Sequence, residues 1–131
     1  MSLLELLVGY CVSRDLCVGD GEDCFRDFIP EEPDNVIVFH EYSGDPPNPF
    51  TSNVHRSVQI KVRNVDAEQA RRKAVQICEA FRDTTEDRQI YFTDSLWGQV
   101  YIRQTPFKLS QDESGRVTYC FNLGITTNIL E

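Results

Sequence analysis

The feature that most constrains this chain is a change of hydrophobic period just before Asp66. Upstream, Val54–Asn64 alternates, with Val54, Val58, Ile60 and Val62 set against Gln59, Lys61 and Arg63. That is the pattern of a strand with one buried face and one wet or partner-bound face. Downstream, Ala67, Ala70, Ala74, Ile77, Cys78 and Phe81 recur at helical spacing, opposite Arg71, Arg72, Gln76 and Glu79. Asp66, followed by Gln69, has the form of a helix N-cap with a capping box. A strand feeding directly into an amphipathic helix of about 18 residues, roughly 27 Å long, must lay that helix across a sheet. The three alanines predict close helix–sheet packing.

The other elements follow from the same periodicities. Leu3, Leu4, Leu7, Tyr10, Cys11 and Arg14 predict a first helix from Ser2 to about Asp15, with Ser2 and Glu5 as a capping box. Val18-Gly19-Asp20-Gly21 reads as a turn. A strand over Cys24–Ile29 would set Phe25, Asp27 and Ile29 opposite Cys24, Arg26 and Phe28, and Pro30 and Pro33 would end it. Asn35–Tyr42 is almost continuously apolar, the mark of a central strand covered on both faces. Gln89–Thr93, Gly98–Gln104 and Val117–Thr126 read as strands, the last two joined by a turn at Asp112-Glu113-Ser114-Gly115. The expected fold is α+β, in the order α-β-β-β-α-β-β-β. It is a single domain over residues 1–131, a mixed and mainly antiparallel sheet carrying an N-terminal helix and one long amphipathic helix. Residues 43–53 are polar, rich in proline and too long for a tight hairpin, so a flexible loop is expected there.

A chain of 131 residues holds one core. Its net charge of −8 argues against sequence-independent nucleic-acid binding, which draws on a basic surface. The charge is unevenly spread. Residues 15–45 carry ten acids and one base, a net −9, whereas residues 55–73 carry six bases and two acids, a net +4. Two arrangements fit: two solvated faces of one monomer, or a head-to-tail contact between copies, in which such patches steer and register the partner. The odd cysteine count, the absence of CxxC and the absence of a signal peptide point to reduced thiols in a cytosolic setting, without a disulfide framework or a structural zinc site. Cys11 and Cys78 fall on apolar helix faces and read as small core residues. No apolar run approaches the ~20 residues needed to span a bilayer.

Catalytic chemistry finds little footing. Cysteines with His40 or His55 are the only nucleophile–base candidates, and nothing in their spacing joins them. Glu31, Glu32 and Asp34 lack the alternating oxygen ligands of a calcium loop and read as a solvated acidic loop. Gly19-Asp20-Gly21 lacks the strand–loop–helix frame of a phosphate loop. Trp97 at a strand start reads as a lid on the core. The sequence therefore predicts no catalytic residue, no cofactor and no metal.

Several motifs occur in an order that carries a resemblance. They are Ile29-Pro30-x-x-Pro33-Asp34-Asn35, Gly44-Asp45-Pro46-Pro47, Arg56-x-Val58-Gln59-Ile60-x-Val62-Arg63, the helix Ala67–Phe81, Tyr101–Phe107, and Asp112-Glu113-x-Gly115-Arg116 before the strand Tyr119–Ile125. Together they resemble the small bacteriophage minor capsid proteins related to the tail terminator, or tail completion, proteins of long-tailed phages. The extra cysteines and the acidic stretch Asp15–Asp27 lie outside that pattern.

The resemblance implies a non-enzymatic virion protein, made in the host cytoplasm and placed at the head-proximal end of the tail. It implies a ring, commonly a hexamer, that caps the tail tube and presents a surface to head-completion proteins. Its implied partners are itself, the tail tube protein and a head-completion protein. DNA would pass through without specific binding, and no membrane is involved. Asp45, Pro46, Pro47, Asn48, Arg56, Lys61, Arg63, Arg71 and Arg72 are the candidate subunit or tube contacts. Two other readings stand beside it: a different head–tail connector or head-completion adaptor, and a small cytosolic enzyme or ligand-binding domain with a cleft between the second helix and the sheet.

Overall fold

The computed structural model describes residues 1–42, 46, 49–82 and 89–131. The elements are α1 (Leu3–Ser13), β1 (Cys24–Arg26), β2 (Val36–Tyr42), β3 (Val54–Asn64), α2 (Ala67–Arg82), β4 (Gln89–Tyr91), β5 (Trp97–Gln111) and β6 (Val117–Thr127). Their order is the expected one, and the fold is α+β. The six strands form one sheet in the order β1-β2-β3-β6-β5-β4. Only the β1–β2 pair is parallel; the others are antiparallel.

Both helices lie on one face of the sheet. Tyr10 of α1 stacks against Phe81 of α2 at 5.1 Å between ring centroids, and its hydroxyl donates to Ala80 O at 3.0 Å. Beneath them Ile37 and Phe39, Val58 and Ile60, Phe121 and Leu123 form the core with Leu3, Leu7, Ala74 and Ile77. Residues Val36–Phe39 are all buried, as a strand covered on both faces should be. Phe25, Val36 and Val38 form a second, smaller cluster.

Both N-caps form, but the box at α2 is not reciprocal, because the Asp66 amide donates to Asn64 Oδ1 at 2.9 Å and not to Gln69. Ser2 Oγ accepts from Glu5 N at 3.2 Å, and Asp66 Oδ1 accepts from Glu68 N at 2.9 Å and Gln69 N at 3.4 Å. Four further expectations need correction. α1 ends at Ser13, because Asp15 turns out of the helix at φ 58°. Ala67 is exposed, so the buried stripe of α2 starts at Ala70. β1 stops at Arg26, because Asp27 adopts φ 63° and its amide turns to Phe39 O. β5 runs to Gln111, seven residues past the expected Gln104, through three register shifts against β6. The loop expected at 43–53 lies partly outside the described residues; within it Pro46 is exposed and Pro49–Phe50 form a turn.

Candidate functional site

Three of the motifs separated along the sequence, at residues 29–35, Arg63 and Asp112–Arg116, meet at one place, around the connection between β1 and β2. Residues 27–35 must carry the chain back so that β2 can pair with β1 in parallel, and that excursion exposes backbone carbonyls. Arg63, at the end of β3, reaches across β2 and satisfies them. Its Nε donates to Asp34 O at 2.9 Å, and its Nη2 donates to Pro30 O and Pro33 O, both at 2.8 Å, and to Glu31 O at 3.4 Å. Arg116, just after the β5–β6 turn, grips the same segment from the other side. Its Nη1 donates to Glu31 O at 2.6 Å and meets Asp34 Oδ1 at 3.4 Å, while its Nε is held by Asp112 Oδ2 at 2.6 Å. Gly115, at φ 84°, supplies the left-handed residue that the turn before Arg116 needs.

Both guanidiniums are buried, at 7% exposure. Burial, and then the neighbouring Arg116, pull the Arg63 pKa down from its ordinary value. The hydrogen bond that Arg116 donates to the Asp112 carboxylate pushes the Arg116 pKa up. Burial tends to raise the Asp112 pKa, but the bonds from Arg116 outweigh it and the net shift is downward. Planar, permanently charged guanidiniums suit this work, since each offers several donors in a fixed fork. Asn35 completes the joint: its Oδ1 accepts from Val65 N at 3.1 Å, at the entry to α2.

The acidic and basic stretches of the sequence therefore meet within one chain. Arg56 binds Glu41 through two bonds of 2.6 Å. Lys73 Nζ donates to Leu16 O at 3.1 Å. Arg71 and Arg72 remain on the exposed side of α2, each paired with Glu68. Lys61 is half-buried on the face of β3 turned away from the helices. Of the loop candidates, Pro46 is exposed, and Asp45, Pro47 and Asn48 lie outside the described residues. Arg116 is the residue missed among the candidates; its place in Asp112-Glu113-x-Gly115-Arg116 was the available signal.

A cleft of about 380 Å³ lies between α2 and the ends of β2 and β3, lined by Asn35, Arg63, Asn64, Gln69, Arg72 and Gln76 among others. Several of its polar groups already have partners: Arg63 holds the 30–34 carbonyls, Asn35 accepts from Val65, and Asn64 Oδ1 accepts from Asp66 N. The two histidines sit in different settings. His55 Nδ1 meets the Thr126 hydroxyl at 2.7 Å, and His40 Nε2 is buried without a hydrogen-bond partner among the described residues. Burial, followed by Lys61, lowers the His40 pKa.

All five cysteines are free thiols. Burial pushes the Cys11, Cys78 and Cys120 thiols up. Cys11 and Cys78 are buried in the core, as their helical positions predict. No described helix is long and apolar enough to cross a membrane.

A family model described as bacteriophage tail terminator protein matches residues 13–129. No curated protein matches the chain.

Proposed function

The chain belongs to the bacteriophage tail terminator family, and from that premise we propose that it forms a ring, six subunits in number, that caps the tail tube and presents a surface for joining to the head. Membership makes it a phage tail structural protein and a component of the virion. The observation that carries the finer reading is that the match runs from β6 back to the end of α1, so the motif residues gathered around the Arg63–Arg116 clamp all lie inside it.

The proposed contacts divide by what the side chains already do. Lys61, Arg71 and Arg72 are the direct contacts to a neighbouring subunit or to the tube. Arg56 and Arg63 act from within, fixing the C-terminal end and the 30–34 segment that a neighbour would meet. The loop bearing Asp45, Pro46, Pro47 and Asn48 is the proposed tube-facing element. A heterologous contact of this kind can close into a ring when its rotation closes. The net charge of −8 per subunit suits a channel through which DNA slides without sticking.

The test is native mass spectrometry over a concentration series, together with binding to purified tail tubes and to portal-bearing heads. Closed rings that bind tubes are the expected result. A species that stays monomeric and binds neither would overturn the reading. Binding to heads but not to tubes would favour a head-completion adaptor.

A further inference from the structure

Among the described residues, three metal-ligating side chains outside the clamp come together: Cys17, Asp23 and Cys24, with ligand atoms all within 4.8 Å of one another. The loop that carries them is closed on itself. The amides of Asp23 and Cys24 both donate to Gly19 O, and Gly21 N donates to Cys24 O at 2.8 Å. Asp23 Oδ1 accepts from Val18 N at 3.0 Å and Gly19 N at 3.1 Å, whereas Oδ2 accepts from Val18 N alone. A carboxylate offers about four lone-pair directions, so Oδ2 keeps one for a further partner. These contacts hold the carboxylate, and the loop that leads from Cys17 to Cys24, in place before anything binds.

We propose that Cys17, Asp23 and Cys24 form a site for a thiophilic divalent ion of the zinc class. Zinc bonds of ~2.3 Å to sulfur and ~2.0 Å to oxygen, in a tetrahedron, place the donor atoms roughly 3.5–3.8 Å apart. Small side-chain rotations bring a group of 4.8 Å span to that size. Soft sulfur donors select zinc or cadmium over magnesium and calcium. As the two metal–sulfur bonds form, the thiol protons leave to solvent. Two thiolates and a carboxylate then balance the dication together with Lys73, which is held against Leu16 O at 3.1 Å beside the site.

The fourth position opens to solvent. Cys17 and Asp23 border a surface cleft that is also lined by Asp15, Leu16 and Lys73. Cys24 is fully buried while Cys17 and Asp23 are half-buried, so an ion has a way in and a buried anchor. The spacing hides the site from a search for CxxC, because the turn at Gly19–Gly21 folds six intervening residues out of the way. Bound metal would tie the exit of α1 to β1 across a stretch dense in like charge.

The experiment titrates the reduced full-length chain with zinc and with cadmium. One equivalent should bind, and cadmium should give the sulfur-to-metal charge-transfer band. Cys17→Ser and Cys24→Ser should abolish that band, and Asp23→Asn should weaken binding by more than about tenfold. Cys78→Ser and Cys120→Ser, which alter cysteines elsewhere in the fold, should bind like the parent. If the Cys24 variant fails to fold, the half-buried Cys17 decides, together with protection of its thiol from alkylation by zinc. Binding that is absent, or equal in all variants, overturns the site. A chain that takes no zinc but, treated with diamide, loses two hydrogens in the parent and in neither the Cys17→Ser nor the Cys24→Ser variant has a Cys17–Cys24 redox pair, and the metal site is overturned.

Discussion

The central residue is Arg63. It lies on the face of β3 that the alternation assigns to solvent or a partner, yet four backbone carbonyls surround its guanidinium. Removing a buried partner of charged hydrogen bonds leaves acceptors unsatisfied, at about 1–3 kcal/mol per group. Arg63→Ala is therefore expected to destabilise the fold by about 2–4 kcal/mol in urea unfolding, and Arg63→Lys to recover only part of it, because an ammonium lacks the fork. Lys61→Ala, on the same strand face, should stay within about 0.5 kcal/mol. Equal effects at the two positions would remove Arg63 from the clamp. His40 gives a pH test. Its folded pKa is lowered from 6.5, by burial first. The unfolded chain thus takes up a proton that the folded chain resists, and stability falls as pH drops below 6.5. Above that value both states are neutral and the residue contributes no slope. His40→Gln should show a shallower loss of stability between neutral pH and mildly acidic pH, read by thermal melts; an unchanged slope would sink this assignment.

At the scale of elements, α2 and β3 were legible because their patterns are long and regular. β3 has the expected bounds, Val54–Asn64, and α2 begins directly after its expected cap. Asp66→Ala should cost about 1 kcal/mol by chemical unfolding, since both amides it caps would lose their acceptor. No loss would mean that another group caps the helix. β5 was only half legible. Its alternation breaks after Ile102, where the register shifts begin, and a bulge changes the side-chain phase and admits a proline such as Pro106 inside a strand. β1 was overextended because the apolar Phe28 and Ile29 continue the pattern, whereas the backbone has already turned at Asp27. The clamp was legible only in pieces: its motifs are distant in sequence, and periodicity says nothing about which carbonyls an arginine will reach. The meeting of Cys17 with Cys24 was hidden for a related reason, a closed turn that no spacing rule describes.

At the scale of the whole molecule, part of the basic stretch is already engaged inside its own chain with the acidic stretch. Arg56, Arg63 and Lys73 bind groups between Leu16 and Glu41 in their own chain. What is left to act between copies is smaller: Arg71 and Arg72 on α2, with Lys61, against exposed acids such as Glu22 and Glu32. The side chains of Arg71 and Arg72 are 49% and 65% exposed, and their pairs with Glu68 are surface pairs of the kind that stabilise a fold little. Reversing them to Glu should leave the unfolding midpoint of the monomer nearly unchanged. If α2 meets the acidic face of a neighbour, the same double variant should disperse rings at concentrations where the parent is closed, with the difference shrinking as salt screens the contact. Converting Glu22 and Glu32 to Lys on the reversed background should restore rings, because a heterologous interface presents the two patches to each other. Rings that persist in the first variant, or that the second fails to rescue, would place the subunit contact on another surface, with the exposed Pro46 and Phe50 of the loop after β2 the next to be changed.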